Sequence, residues 1–172
     1  MSLKIVFLGT PEFATTSLRA IHESNHQIVG VVTAPDKPAG RGQQVQMSDV
    51  KKYALAHQLN LFQPEKLRNE IFLNDLKKLN ADLFVVVAFR MLPEVVWNMP
   101  PLGTINLHGS RLPNYRGAAP IQWAIMNGEI NTGCTVFQLT HDIDTGDILS
   151  SNEIAIGPNE TAGELYLRMM HE

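Results

Sequence analysis

The sequence predicts an α/β fold with an open, mostly parallel, twisted sheet, helices on both faces and an antiparallel strand pair toward the C-terminus. Over much of the chain, short apolar runs alternate with segments of helical periodicity. These runs are continuously apolar, which is typical of strands that are buried on both faces. Two later strand-like segments follow each other without an intervening helix, which favours an antiparallel pairing.

The N-terminal elements follow from apolar runs and turn signals. Residues 5–8 form an apolar run that ends at Gly-Thr-Pro, and helical spacing follows over 12–24. A second buried strand is predicted over 28–33. A polar, glycine-rich loop over 34–46 then leads into a helix over 48–58, whose first serine is a suitable N-cap.

Predicted strands and helices continue to alternate until two strands follow each other without a helix between them. A short strand over 61–62 precedes a helix over 67–79, and residues 83–88 form the most apolar strand. A fifth strand and a helix that begins at Pro120 are followed by two strands joined by an acidic loop. These elements cover residues 105–108, 120–126, 135–139 and 148–156. The succession predicts a Rossmann-like fold.

Composition limits the classes of function. The chain has 172 residues, 44% hydrophobic and 18% charged, which indicates one ordinary globular domain. A net charge of -3 argues against a broad phosphate-binding surface. The single cysteine, Cys134, favours a reducing compartment, so we expect a cytoplasmic protein. The apolar runs are too short for a membrane segment, and we expect a monomer. The C-terminal helical pattern has no stop signal, and the chain is therefore expected to be shortened.

Polar side chains in the fifth strand form the strongest candidate site. Asn106 and His108 occupy alternate positions, so they are predicted to share one face, while Leu107 points to a core and Gly109 ends the strand in a backbone suited to glycine. The alternative is a buried pair satisfied by backbone groups. A strand end beside a loop instead favours a general acid or base with an oxyanion donor, and Asp144 is the expected carboxylate partner.

Other candidate motifs are weaker. The acidic loop resembles half of a calcium loop but lacks the later bidentate glutamate, and His22 and His26 have no third ligand in range. We therefore expect no metal. Gly9 stands alone where dinucleotide-binding folds carry three glycines, so a nicotinamide cofactor is not expected. Phe13, in the first turn after the strand, is predicted to pack in the core or to line a substrate pocket.

The long polar loop over 34–46 exceeds the usual strand-to-helix connection. It is either a surface excursion or a functional segment. Lys37 and Arg41 lie on it, and Lys51 and Lys52 follow nearby. These residues predict a small cationic element suited to a phosphate backbone.

Five motifs together resemble the methionyl-tRNA formyltransferase family. They are GTPEFA at 9–14, PDKPAGRG at 35–42, NLHGS at 106–110, RGAAPI at 116–121 and DTGD at 144–147. The resemblance extends in order through nearly the whole chain. The third and fifth motifs resemble those of enzymes that use 10-formyltetrahydrofolate, whereas the second distinguishes the acceptor.

This resemblance implies transfer of a formyl group from 10-formyltetrahydrofolate to the α-amine of methionyl initiator tRNA, without a metal. It places catalytic roles on Asn106, His108 and Asp144. The implied folate-binding residues are Ser110, Arg111, Leu112, Pro113, Phe89, Arg90, Met91, Leu92 and Asp142. The implied acceptor-binding residues are Gly9, Thr10, Phe13, Lys37 and Arg41. The family's C-terminal β-barrel domain, which helps to bind tRNA, is not expected within these residues.

Two departures from the family pattern stand out. Phe89-Arg90 replaces Tyr-Gly, and its arginine resembles the purine-pathway formyltransferases, while Arg111 replaces a leucine. The alternatives are therefore a formyltransferase for an amino-sugar nucleotide or for glycinamide ribonucleotide, or a formyltetrahydrofolate deformylase. A non-enzymatic alternative is a Rossmann-like nucleotide-binding module.

Overall fold

The computed structural model describes residues 2–39 and 44–172. The described residues form two compact units, one that ends at Thr104 and one over Ile105–Glu172. Arg41 lies outside the described residues. None of the helices in these described ranges combines the length and apolarity that crossing a bilayer requires. The elements of the first unit are β1 (Lys4–Gly9), α1 (Glu12–His22), β2 (Gln27–Val32), β3 (Lys37–Ala39), β4 (Gln44–Gln46), α2 (Asp49–Ala56), β5 (Leu61–Phe62), α3 (Glu70–Lys78), β6 (Leu83–Val87) and α4 (Glu94–Trp97).

The first unit is built on parallel strands in the order β6-β1-β2-β5. Val6, Phe7 and Leu8 of β1 are fully buried, as continuously apolar central strands should be. Leu18 of α1 and Leu76 of α3 are also buried, since each helix presents one apolar face to a core. The predicted alternation of strands and helices is confirmed here.

Gly9 ends β1 for a steric reason. A Cβ atom there would lie 2.6 Å from the Cβ of Ala14 and 3.0 Å from the carbonyl oxygen of Val87. Because real Cβ atoms do not approach other atoms so closely, the turn into α1 requires glycine. The lone glycine thus has a packing explanation that does not involve a dinucleotide.

Two parts of the predicted loop over 34–46 are strands. They form an antiparallel hairpin in which Lys37 pairs with Gln46. The sequence prediction of an irregular loop is wrong at these strands because β3 and β4 are only three residues each, too short for a visible alternation pattern. Ser48 caps α2 as predicted, accepting a hydrogen bond from the backbone N–H of Lys51 at 3.0 Å.

The elements of the second unit are β7 (Thr104–His108, all but its first residue), α5 (Pro120–Met126), β8 (Asn131–Thr132), β9 (Thr135–Gln138), β10 (Ile148–Ser151), β11 (Ile154–Ala155) and α6 (Ala162–Met169). Its β7, β9 and β10 strands are antiparallel in the order β10-β9-β7. The predicted helix over 120–126 and the predicted antiparallel strand pair are confirmed. Thr161 and Glu164 form a capping box at the start of α6.

The predicted single strand over 148–156 is two strands. β10 pairs with β9, whereas β11 pairs with β8 in a separate two-stranded sheet. The break lies at Asn152, whose side chain accepts a hydrogen bond from the backbone N–H of Cys134 at 2.6 Å. A side chain that bonds to backbone in this way competes with regular strand pairing.

One local expectation at β7 is wrong. Gly109 does not occupy the left-handed region, and a Cβ atom there would be 3.4 Å from the side chain of Ile121, an ordinary packing distance. Leu107 is only half-buried, whereas His108 is 7% exposed. The polar face of β7 is therefore the more deeply enclosed at this end, because β9 places the buried Thr135 opposite His108.

Candidate active site

His108 and Asp144 meet in the second unit. The Nδ1 atom of His108 lies 3.7 Å from the Oδ2 atom of Asp144, and the two side chains are 8% and 12% exposed. The Nε2 atom of His108 lies 2.8 Å from the carbonyl oxygen of Tyr115. Because a carbonyl can only accept, Nε2 must carry the hydrogen. Nδ1, which faces the carboxylate, is then the nitrogen that can exchange a proton.

One short segment, Tyr115 to Gly117, contacts both side chains. Gly117 donates its backbone N–H to the Oδ2 atom of Asp144 at 2.8 Å, and the Nε atom of Arg116 donates to the carbonyl oxygen of Asp144 at 2.9 Å. Together with the Tyr115 carbonyl, these contacts orient the imidazole and the carboxylate. No role is predicted for these residues from the sequence. The only sequence signal for them is the Arg-Gly pair within the 116–121 motif.

The backbone around this pair adopts uncommon conformations. Tyr115, Ala119 and Asp144 have φ values of 55°, 57° and 51°, in the left-handed region that non-glycine residues seldom enter. Gly117 has a φ of 87°, and nothing surrounds the position a Cβ atom would take. Strained conformations of this kind cluster at functional sites.

Thr135 fixes the chain that leaves β7. Its hydroxyl donates to the carbonyl oxygen of Ser110 at 2.7 Å and accepts from the backbone N–H of Leu112 at 3.1 Å. Ser110 is fully buried, and its hydroxyl donates to the carbonyl oxygen of Asn114 at 2.6 Å. The predicted folate-binding residues Ser110 and Leu112 are thus part of a hydrogen-bonded turn, and the peptide bond between Leu112 and Pro113 is cis.

Asn106 stands two residues before His108 on β7, opposite Phe137 of β9. Strand geometry places it on the same face as His108. It is half-buried, and among the described residues its side-chain amide has no hydrogen-bond partner. Its N–H groups therefore remain available to an incoming acceptor atom.

The remaining predicted site residues of the second unit are exposed. Arg111 forms an ion pair with Glu153, in which the side chains are 48% and 53% exposed. Asp142 lies 3.6 Å from the Nδ1 atom of His141, and its side chain is 83% exposed. Their contacts are with Glu153 and His141 and not with the His108–Asp144 pair, so their predicted folate roles stay predictions.

In the first unit, two predicted groups follow neighbouring strands. Gly9 of β1 pairs with Val87 of β6, so the turn that contains Thr10 and the segment that begins at Phe89 leave the same edge of the parallel sheet. Phe13 is 6% exposed, in agreement with a core role. The carboxyl edge of a parallel sheet is where open α/β folds bind ligands.

Arg90 bonds to backbone within the first unit. Its guanidinium donates to the carbonyl oxygens of Pro64 and Glu65 and lies 5.6 Å from the centre of the Phe89 ring. Burial lowers the pKa of Arg90 from its ordinary value. Met91 is 78% exposed. The departure from the family pattern at Arg90 therefore ties this segment to the chain that follows β5.

The predicted cationic element is smaller than the sequence suggests. Lys37 is exposed on β3, but Lys51 forms an ion pair with Asp36 and Lys52 pairs with Asp49 at 2.8 Å. Lys51 is therefore not a free surface cation, since its side chain is only 13% exposed. In the described ranges no group of three or more His, Cys, Asp or Glu residues is placed to hold a metal ion.

The comparisons with known proteins show the family of the chain. Residues 3–172 match the family described as Formyl transferase, so the chain belongs to the formyl transferase family. The chain is 60% identical over 169 residues to the methionyl-tRNA formyltransferase of Flavobacterium johnsoniae, covering 98% of this chain and 54% of that protein. It is 55% identical over 169 residues to the enzyme of the same name from Bacteroides fragilis, covering 98% and 52%. The chain thus spans about half the length of the curated relatives it matches.

Solved structures show the same fold at low identity. The phosphoribosylglycinamide formyltransferase of Bacillus halodurans superimposes with a TM-score of 0.80 at 16% identity, covering 98% of this chain and 88% of that chain. The formyltetrahydrofolate deformylase of Pseudomonas syringae gives 0.78 at 18% identity, covering 99% and 57%. The predicted α/β fold class is confirmed by these likenesses.

Proposed function

We propose that this chain carries the catalytic site of a methionyl-tRNA formyltransferase. The site would transfer the formyl group of 10-formyltetrahydrofolate to the α-amine of methionyl initiator tRNA, in the cytoplasm and as a monomer. The observation that carries the proposal is the paired His108 and Asp144 in a chain 60% identical to a protein of that name. The predicted folate and acceptor residues belong to the same proposal.

The proposed chemistry is an acyl transfer. The free amine attacks the formyl carbon, a C–N bond forms, and the carbonyl oxygen gains negative charge in a tetrahedral centre. Asn106 can donate a hydrogen bond to that oxygen, because its amide is uncommitted among the described residues. Collapse of the centre breaks the bond to the folate nitrogen N10 and leaves the formyl group on the amine.

The proton of the attacking amine must reach the departing N10. We assign this transfer to the carboxylate of Asp144 and the Nδ1 atom of His108, directly or through one water. A protonated imidazole at His108 is a second group that could stabilise the negative charge on this oxygen. The hydrogen bond from Nε2 to the Tyr115 carbonyl instead favours a proton-transfer role for His108 and leaves the oxygen to Asn106.

The experiment measures tetrahydrofolate release from 10-formyltetrahydrofolate with four additions: methionyl initiator tRNA, glycinamide ribonucleotide, an amino-sugar nucleotide, or no acceptor. Release only with the charged tRNA supports the proposal. Release with another amine would indicate a related formyltransferase with a different acceptor, and release without an acceptor would indicate a deformylase. Unchanged release in His108→Ala would contradict a catalytic role for this site.

A further inference from the structure

The hairpin of β3 and β4 is fixed at its base by side chains from both flanking segments. Thr33, directly after β2, and Ser48, directly before α2, bring their hydroxyl oxygens to 2.8 Å. Thr33 is fully buried. Since Ser48 also caps α2, the start of the hairpin, its end and the helix are joined at one point.

A second connection is made by Asp36, which lies between Thr33 and the first residue of β3. The carboxylate of Asp36 accepts from Lys51 of α2 through one oxygen and from the side-chain amide of Gln63 at 2.8 Å through the other. Gln63, directly after β5, also donates to the carbonyl oxygen of Ala34 at 2.9 Å. The Asp36 and Lys51 side chains are 24% and 13% exposed, so this ion pair is partly shielded from water. Residues 36, 51 and 63 are called the Asp36 cluster below.

The position of the cluster relates it to Lys37. Asp36 immediately precedes Lys37, which is the first residue of β3 and is exposed. The positive charge of Lys51 is neutralised within the cluster, whereas Lys37 has no ion pair among the described residues. The cluster thus anchors the residue beside the exposed cation instead of adding a second cation to the surface.

We propose that the Asp36 cluster is a positioning element for acceptor binding: it holds the β3–β4 hairpin so that Lys37 is presented in one orientation. The inference rests on the proposed function, since it assigns Lys37 to the phosphate-bearing acceptor. A contact held in place before binding loses less conformational freedom when the acceptor binds. Loss of the cluster therefore weakens acceptor binding and leaves the formyl-transfer step unchanged.

The competing explanation is that Lys51 itself contacts phosphate. Asp36→Asn separates the two explanations, because it removes the ion pair, frees the Lys51 ammonium, and still allows Gln63 to donate to the remaining carbonyl oxygen. A phosphate-binding Lys51 would gain affinity from this change. A positioning cluster loses affinity in Asp36→Asn and in Lys51→Met alike.

The experiment measures kcat and KM for methionyl initiator tRNA in Asp36→Asn, Lys51→Met, the double variant and Lys51→Arg. We expect KM to rise about tenfold in each single variant, no further rise in the double variant, and a kcat within about twofold of the parent. Lys51→Arg should restore KM, because arginine retains the ion pair. Lys78→Met is the matched control, since Lys78 pairs with Asp75 at 2.8 Å on a helix without any assigned role.

Two outcomes would overturn the inference: additive effects in the double variant, or an Asp36→Asn variant that binds tRNA more tightly. Hydrogen exchange of the β3 and β4 amides provides a readout that does not depend on the acceptor. Faster exchange there in Asp36→Asn and Lys51→Met, but not in Lys78→Met, is expected. If the parent protein formylates no tRNA but the exchange result holds, the proposed function fails and the structural role of the cluster stands. Unchanged exchange would refute that role even in an active enzyme.

Discussion

The Tyr115 carbonyl oxygen holds the Nε2–H of His108 at 2.8 Å, and this contact decides which imidazole nitrogen can exchange a proton. A carbonyl is only an acceptor, so Nε2 keeps its hydrogen whether the ring is neutral or charged. Proton exchange is thereby directed to Nδ1, beside Asp144. A main-chain atom thus selects the tautomer, and the choice does not require an additional side chain.

Replacing Asp144 by asparagine should abolish most activity without unfolding the chain. The asparagine oxygen can still accept from the Gly117 N–H, so the loop should retain its conformation. The negative charge beside Nδ1 is lost, and we expect kcat to fall by about 10²- to 10⁴-fold. Turnover and thermal unfolding are measured together. A variant with near-normal turnover would remove Asp144 from the proposed mechanism.

Replacement by alanine should reduce kcat strongly at one glycine near the site and little at another. A Cβ atom at Gly146 would lie 1.6 Å from the carbonyl oxygen of Gln138, whereas one at Gly109 would meet only the side chains of Ile121 and Pro120, at 3.4 Å or more. Gly146→Ala must displace the loop that carries Asp144, and we expect a loss of kcat of at least about tenfold. The Gly109→Ala variant should retain most of the parent kcat. Equal kcat values in the two variants would contradict this steric argument.

The Asp36 carboxyl should titrate below its ordinary range. The hydrogen bond from Lys51, and then that from Gln63, holds the pKa of this group below the usual 3.8. A depressed pKa means that the stabilising effect is present above the ordinary value and is lost as the pH falls through the depressed one. Carboxyl carbon NMR of the parent and of Lys51→Met measures the shift, and we expect the variant's pKa to move back toward 3.8. Identical titration curves would show that Lys51 does not set this pKa.

Cys134 should be nearly inert to thiol reagents while the protein is folded. Burial, and then the negative charge of Glu172, raises the pKa of its thiol from 9.0 to about 11. Because the thiolate is the reactive species, the folded protein at pH 8 should react about a hundredfold more slowly than the denatured protein. A chromogenic disulfide reagent, applied with and without denaturant, measures both rates. Rapid labelling of the folded protein would mean that the thiol is accessible and ionised.

Most strands and helices were predictable because their signals are local. The apolar run of β6, the proline at the start of α5 and the serine before α2 each specify an element without knowledge of distant residues. The hairpin of β3 and β4 was not, since its strands are too short to show a period and depend on side-chain contacts such as that between Asp36 and Lys51.

The candidate site was likewise predictable only in part. Alternation along β7 places Asn106 and His108 on one face, and a carboxylate partner follows from the chemistry of imidazole. The contributions of Tyr115 and Gly117 are made by main-chain atoms in left-handed conformations. A sequence lists side chains, so a carbonyl or an N–H that does the orienting leaves no residue-type signal.

The hydrogen bonds of Thr135 make the candidate site sensitive to errors in strand pairing. A slip of β9 by one residue along β7 would place Val136 opposite His108 and turn each β9 side chain to the other face. Valine has no hydroxyl to form the hydrogen bonds with Ser110 and Leu112, so the mispaired form would lose the turn that follows β7. A population containing such isomers would retain most of its secondary structure yet include inactive molecules. The fraction of molecules that titrate as active would therefore measure the fidelity of assembly of this antiparallel pair.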